Sequence, residues 1–179
     1  MPTRIGCRAR LPAGEFALHP LDPQRDTDAL HAWHHDPEVA RFWEMAWTRD
    51  AISRYLRQQP DSTHSTPYVG FLNGIAMSYW ELYRADLDPL AEHYRTRDGD
   101  AGVHLLLGPA GYRGLGIGAD LLRAVSGWQL ETADRVVAEP DVRNERSVRA
   151  FERAGFRRGA DIDLPDKRAA LMIRGRGGA

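Results

Sequence analysis

The sequence has little of what secreted, membrane-spanning or nucleic-acid-binding proteins need. Cys7 is its single cysteine, so no disulfide can form within the chain and a reducing cytoplasm is the expected location. No stretch approaches the roughly 20 apolar residues of a membrane helix, and residues 1–10 have no apolar run of the kind found in a signal peptide. The formal net charge is −1, which disfavours nucleic acid and anionic membranes as partners.

What is present suits one globular domain. The chain has 179 residues, of which 42% are hydrophobic and 27% charged, and a chain of this length buries a substantial core. We expect a loose N-terminal segment over residues 1–14, one domain over residues 15–174 and a frayed tail over residues 175–179.

The hydrophobic pattern predicts an α/β (α+β) protein with a mixed central sheet of about seven strands and flanking helices. Asn73-Gly74 lies between two apolar runs and is typical of a β-hairpin. The polar stretch 84–100 is long for a connection, which favours a lid or binding loop. The predicted strands cover residues 15–21, 66–72, 75–83, 102–108, 135–139, 156–163 and 168–173. The predicted helices cover residues 26–34, 37–43, 115–131 and 143–154, with one more after Thr48 as its N-cap.

A glycine-rich turn is the most distinctive local motif. It opens a predicted helix, and glycine allows positive φ and a close approach to a bulky anion. The helix N-terminus adds unpaired N–H groups, so the turn predicts a phosphate or pyrophosphate site; a flexible glycine turn is the alternative. The turn lacks the Gly-Lys-Ser/Thr of a P-loop and follows too late for a Rossmann turn. It comprises Arg113, Gly114, Leu115, Gly116, Ile117 and Gly118, with Arg113 expected to add a cation.

His104 and Asp141 form a second candidate site. His104 lies within a predicted buried strand and Asp141 follows the next one, so the two residues can meet at one end of a parallel pair. An imidazole oriented by a carboxylate is a general-base arrangement. The alternative is a core histidine bonded to the backbone, with Asp141 capping the helix near Arg143.

The glycine turn combines with a downstream segment to indicate a family. Residues 144–156 read Asn-Glu-Arg-Ser-Val-Arg-Ala-Phe-Glu-Arg-Ala-Gly-Phe, and with the turn they resemble the GNAT superfamily of acyl-CoA-dependent N-acyltransferases. The resemblance implies the GNAT fold, coenzyme A pyrophosphate at the turn, and the pantetheine arm along Asn144 and Ser147. Phe151 stands where many members have a tyrosine that protonates the thiolate, so that role must pass to another group or to water.

Further segments resemble the siderophore-biosynthesis branch, which acylates the side-chain amine or N-hydroxyamine of lysine or ornithine. They are Trp33, residues 35–43, residues 78–91, and the surroundings of His104 and Asp141. The resemblance implies catalytic roles for His104 and Asp141, with acetyl-CoA or a longer acyl-CoA as co-substrate. We expect direct transfer without an acyl-enzyme or a metal, with the amides of Leu106 and Leu107 holding the thioester oxygen.

The acceptor residues are predicted from one strand and the early helical region. Glu81 is expected to bind an ammonium group and Trp80 an aliphatic chain, with Tyr79 and Trp43 shaping the cleft; ordinary sheet packing is the alternative. Two other functions stay open. They are an aminoglycoside 6′-N-acetyltransferase, for which six acidic residues are available, and a non-catalytic acyl-CoA-binding module. The sequence does not decide between a monomer and a homodimer.

Overall fold

A computed structural model describes residues 6–59 and 64–177 of the chain. Five α-helices and eight strands are described in it. The strands are β1 (Arg8–Leu11), β2 (Gly14–Pro20), β3 (Ser65–Leu72), β4 (Ile75–Arg84), β5 (Ala101–Leu107), β6 (Arg135–Ala138), β7 (Arg157–Asp163) and β8 (Arg168–Gly175). The helices are α1 (Pro23–His34), α2 (Pro37–Ala40), α3 (Arg49–Gln58), α4 (Ile117–Gln129) and α5 (Glu145–Arg153).

The strands form a mixed sheet in the order β1-β2-β3-β4-β5-β6-β8-β7. Strands β5 and β6 pair in parallel at Ala101–Val136 and Gly102–Val137, whereas β1–β2, β2–β3, β6–β8 and β7–β8 are antiparallel. The mixed sheet with flanking helices confirms the predicted fold class, with one strand more than expected.

Both predicted loose ends contain regular structure. Strand β1 pairs with β2 and Cys7 is 3% exposed, so the prediction of a loose segment over 1–14 is wrong for these residues. At the other end, β8 extends to Gly175, and the Arg176 guanidinium donates to the carbonyls of Leu130 and Ala133. The predicted frayed tail is therefore ordered as far as Gly177. Residues 1–5 and 178–179, also part of these predictions, lie outside the described residues.

Internal contacts divide the chain into two units. The first contains the residues up to Glu81 together with Leu105–Arg113. Its core joins α1 and α3 to the sheet through residues such as Leu30, Ile52 and Val69. Thr48 caps α3 as predicted, since its hydroxyl accepts from the Ala51 N–H.

The second unit contains Leu82–His104 and the chain from Gly114 onward. Helices α4 and α5 pack together in it. Its buried ion pair joins Arg135 to Asp100, whose side chain is 2% exposed. The polar stretch 84–100 is folded as two 3₁₀ turns, Ala85–Leu87 and Pro89–Glu92. None of the described helices combines the length and the apolarity that a membrane crossing requires.

Candidate active site

His104 is held by a buried carboxylate at the middle of β5. Its Nε2 contacts Oε1 of Glu139, and the hydroxyl of Tyr83 lies 3.3 Å from the same nitrogen. The Tyr83 hydroxyl also donates to Oε2 of Glu139 at 2.6 Å. The side chain of His104 is 32% exposed and that of Glu139 is 7% exposed. The ring therefore contacts solvent, whereas its carboxylate partner is enclosed.

The local sequence explains why these three groups meet. Glu139 directly follows the buried strand β6, whose last three residues carry it into the interior. Gly102 leaves room for Tyr83, because a Cβ at that position would overlap the tyrosine ring. Burial would raise the pKa of Glu139, but the His104 charge and hydrogen bond, Lys167 and the Tyr83 hydroxyl outweigh it and lower that pKa. Glu139 is therefore an anion at neutral pH.

Asp141 has a different partner from the one predicted. Its carboxylate accepts from the backbone N–H of Arg143 at 2.8 Å and from the Arg143 guanidinium at 2.6 Å. The Arg143 hydrogen bond lowers the pKa of Asp141. The prediction that pairs His104 with Asp141 is corrected, since the carboxylate on the ring belongs to Glu139. The sequence signal for Glu139 was an acidic residue directly after an apolar strand.

The glycine turn has the backbone that an anion site requires. Gly114 and Gly116 have φ of 75° and 79°, and no atom lies within 4 Å of a Cβ added to either. Gly116 caps α4 with no side-chain hydrogen bond to the first turn, which includes Ile117 and Gly118, and Leu115 is 67% exposed. The turn therefore fits a phosphate group, which backbone N–H groups at a helix start can bind.

Arg113 does not have the position expected of a phosphate ligand. Its Nη2 donates to Asp36 at 3.0 Å and to the carbonyl of Gly108, and its Nε donates to the carbonyl of Leu107. Glu38 lies 3.6 Å from Nη1. The side chain is 15% exposed, so its charge stabilises the loop after β5 and the start of α2.

The remaining predicted donor-side residues have structural contacts. Asn144 caps α5, with its side-chain oxygen accepting from the Ser147 N–H at 3.2 Å. Phe151 is 4% exposed and packs edge-on against Phe156 with 5.0 Å between ring centroids. Leu106 is 2% exposed and contributes to the core of the first unit. The coenzyme A contacts of Asn144, Ser147 and Phe151 stay predictions.

Glu81 lies among aromatic side chains of the first unit. Its Oε1 accepts from the hydroxyls of Tyr79 at 3.0 Å and Tyr55 at 3.3 Å. Burial, with the Glu81 charge next, raises the pKa of both tyrosines, so both stay protonated donors. The Trp43 ring packs edge-on against Tyr79 with centroids 5.8 Å apart, and Trp47, 39% exposed, packs against Tyr55.

Two of the predicted acceptor residues are enclosed. Trp80 is 0% exposed and its indole N–H donates to Ser78 at 2.8 Å, while Phe16 packs against its ring. The prediction that Trp80 contacts an aliphatic substrate chain is therefore wrong. Tyr79 is also 0% exposed, so its contribution is the hydrogen bond that orients Glu81.

His34 extends this aromatic cluster. Its Nδ1 donates to the carbonyl of Leu30 at 2.7 Å, and its ring lies edge-on to Trp43 and Tyr79. Burial lowers the pKa of His34, which keeps the ring neutral. Within the part of the chain that the structure describes, no cluster of three or more His, Cys, Asp or Glu side chains is arranged to hold a metal ion.

Comparison with known proteins identifies the family. The family model for the acetyltransferase (GNAT) domain matches residues 22–164. The chain therefore belongs to the GNAT acetyltransferase family, as the motifs predicted.

Two curated relatives have names that refer to acyl transfer to lysine or hydroxylysine. The N(6)-hydroxylysine O-acetyltransferase of Escherichia coli is 33% identical over 87% of this chain and 50% of its own length. The lysine N-acyltransferase MbtK of Mycobacterium sp. (strain MCS) is 32% identical over 89% of this chain and 66% of its own length. The chain thus spans about half to two thirds of the length of these two relatives.

Solved structures share the fold. An uncharacterized protein from Bacillus halodurans superposes with a TM-score of 0.90 at 30% identity, over 96% of this chain and 90% of its own. The aminoglycoside acetyltransferase AAC(6′)-Ib, crystallised with paromomycin and acetyl-CoA, gives a TM-score of 0.82 at 26% identity over 91% of this chain and 94% of its own.

Proposed function

We propose that the protein is a cytoplasmic acyl-CoA-dependent N-acyltransferase of siderophore biosynthesis. It transfers an acetyl or longer acyl group to the side-chain amine or N-hydroxyamine of lysine or ornithine. Family membership supports acetyl transfer, and the relatives' names support lysine or hydroxylysine as the kind of acceptor, with transfer to nitrogen in the name of MbtK. The observation that carries the proposal is the partly exposed imidazole of His104, which a buried carboxylate holds in place.

The acyl donor binds at the glycine turn. The N–H groups from Gly114 to Gly118 receive the pyrophosphate of coenzyme A, whose thioester supplies the acyl carbon. Positive φ at Gly114 and Gly116 supports this assignment, because the turn can approach the phosphates without side-chain interference. The amides of Leu106 and Leu107 are proposed to stabilise the oxygen that becomes anionic during attack.

His104 acts as the general base. The acceptor nitrogen forms a bond to the acyl carbon, the carbon–sulfur bond breaks, and the nitrogen's proton passes to the imidazole directly or through water. A lysine ammonium, with a pKa near 10.4, must lose a proton before it attacks, whereas a hydroxylamine is already neutral. Asp141, held by Arg143, keeps the predicted catalytic role as part of this proposal.

Glu81 binds the α-ammonium group of the amino acid. Tyr55 and Tyr79 fix the carboxylate by neutral hydrogen bonds, which orient it without cancelling its charge. Trp43 and Trp47 lie beside these tyrosines and supply apolar surface for the acceptor's methylene groups. A lysine side chain needs such surface because its stem is aliphatic.

An aminoglycoside is the second candidate acceptor, favoured by the likeness to AAC(6′)-Ib. A polycationic sugar needs several available carboxylates. Among the six acidic residues that the sequence offers, Asp86 is paired with Arg84, Asp100 is paired with Arg135, and Asp88 caps a 3₁₀ turn. These contacts leave fewer carboxylates for a sugar, which supports an amino-acid acceptor.

The test is coenzyme A thiol release from acetyl-CoA by wild type and His104→Gln. Loss of a general base lowers kcat by about 100-fold or more, so we expect that loss in His104→Gln with coenzyme A binding unchanged. His31→Gln, a substitution of the same kind on α1, serves as the control and should retain wild-type turnover. Equal turnover in wild type and His104→Gln would reject the assignment, and coenzyme A binding without turnover on any amine would favour the non-catalytic binding module.

A further inference from the structure

We propose that Glu139 and Tyr83 are positioning residues that fix the proton of neutral His104 on Nε2 and so make Nδ1 the atom that receives the acceptor's proton. The inference rests on the proposed function for its catalytic meaning. Its structural content, the tautomer and the charge partner of His104, can be measured without turnover.

The carboxylate of Glu139 has a contact on each of its two oxygens. Oε1 of Glu139 contacts His104 Nε2, and Oε2 accepts from Tyr83. An ionised carboxylate only accepts hydrogen bonds. Each of its two oxygens therefore needs a donor, and a carboxylate that is 7% exposed would destabilise the fold if either donor were lost.

The proton on the His104 ring follows from the donors around the carboxylate. The Tyr83 hydroxyl has one proton, and its 2.6 Å contact with Oε2 is shorter than its 3.3 Å contact with His104 Nε2. That proton therefore belongs to the bond with Glu139. The donor to Oε1 must then be the Nε2–H of His104. A neutral imidazole with its proton on Nε2 carries its basic lone pair on Nδ1.

The charge around His104 also favours this arrangement. Among the described residues, the charge of Glu139 after β6 acts beside the ring, and both Tyr83 on β4 and Lys167 between β7 and β8 act on that carboxylate. When Nδ1 takes the acceptor's proton, the ring becomes a cation beside the Glu139 anion. The carboxylate stabilises that cation and keeps the ring in one orientation, while Tyr83 restrains the carboxylate. The proton then leaves Nδ1 to solvent or to the departing thiolate.

The direct measurement is ¹⁵N NMR of the histidine side chains in the full chain. Comparison with His104→Gln assigns the His104 signals. We expect the neutral form to carry its proton on Nε2. We also expect Glu139→Gln to lower the pKa of His104 by about 1–2 units, since an adjacent anion favours the charged ring by that amount. Tyr83→Phe should raise the pKa of His104 slightly, because the carboxylate loses the phenol hydrogen bond and its negative charge then acts more strongly on the ring.

The kinetic measurement separates positioning from a merely structural role. The acid limb of the kcat/KM profile reports the free-enzyme pKa of the base. In Glu139→Gln the limb should move to lower pH together with the NMR value, and kcat should fall at the plateau because the base is weaker and less well oriented. A structural defect would lower the rate at every pH without moving the limb. Glu131→Gln, which removes an exposed carboxylate after α4, should leave the acid limb and the plateau kcat unchanged.

The outcomes distinguish the two proposals. A neutral His104 with its proton on Nδ1, or a His104 pKa that is the same in wild type and Glu139→Gln, would overturn the positioning role. The expected NMR shifts without turnover on any amine would keep the positioning pair and reject the proposed function. If Glu139→Gln does not fold, Glu139→Asp and Tyr83→Phe carry the test. Glu139→Asp keeps the charge and should retain a pKa near that of wild type.

Discussion

Among single residues, Glu81 gives the sharpest test of how the acceptor is bound. Its carboxylate is fixed by two tyrosine hydroxyls, so Glu81→Gln removes the charge and retains most of the shape. A hydrogen bond to a charged group contributes about 1.5–3 kcal/mol. We therefore expect kcat/KM for the amino-acid acceptor to fall by about 10–150-fold, mainly through KM, with the KM for acetyl-CoA unchanged.

The matched control for this variant is Glu15→Gln on β2. Glu15 is exposed and forms a surface ion pair with Arg10, which contributes little to stability. Its substitution should leave both KM values at wild-type levels. If Glu81→Gln and Glu15→Gln have the same acceptor KM, Glu81 does not bind the ammonium group.

Side-chain partners were the part of the site that the sequence did not reveal. The sequence predicted His104 within one strand and Asp141 shortly after the next, and the structure has them in β5 and after β6. Both Asp141 and Glu139 are buried, so burial does not choose between them. Glu139 contacts the ring, whereas the carboxylate of Asp141 is bound by Arg143, two residues further along the chain. Arg113 is a similar case, because its partner Asp36 is distant in sequence.

At the scale of elements, the glycine turn before α4 gives a second functional prediction. Gly116→Ala puts a side chain at φ 79°, which costs about 1–2 kcal/mol for a non-glycine residue and distorts the N–H groups that are proposed to bind pyrophosphate. We expect the KM for acetyl-CoA to rise by about tenfold, with the acceptor KM little changed.

Gly99→Ala is the control for backbone strain. Gly99 has φ 80° and no atom within 4 Å of an added Cβ, so the two substitutions impose the same conformational cost. Thermal unfolding should show similar destabilisation in both variants, and a rise in KM for acetyl-CoA only in Gly116→Ala. A rise of equal size in Gly99→Ala would attribute the effect to general destabilisation.

Elements with strong local signals were predicted well from the sequence. Asn73-Gly74 forms the turn between β3 and β4, with positive φ at both residues. Thr48 caps α3, and both strands of the parallel pair are present. Strand β1 was missed because it has only four residues, Arg8–Leu11, and a polar–apolar alternation this short, with two arginines in it, is a weak local signal. Its formation depends on pairing with β2, which local sequence does not report.

For the whole molecule, the sheet order and the family match agree. A resemblance that rested on two motifs extends over residues 22–164 and over 96% of the chain in a solved structure. The fold alone does not choose the acceptor, since an aminoglycoside acetyltransferase shares it, whereas curated sequence relatives are named for acyl transfer to lysine or hydroxylysine. Function therefore rests on the acceptor groups and not on the architecture.

A comparison of acceptors under one set of conditions tests most directly whether the protein acylates an amino acid. Thiol release from acetyl-CoA would be measured with N6-hydroxylysine, N5-hydroxyornithine, lysine, ornithine and kanamycin. We expect one amino-acid acceptor to have a kcat/KM at least about tenfold above that of kanamycin, since the Glu81 cluster suits one ammonium group and an aliphatic chain. If no acceptor gave thiol release, the same panel would be measured with longer acyl-CoA donors. A preference for kanamycin over all four amino acids would contradict the proposed amino-acid acceptor.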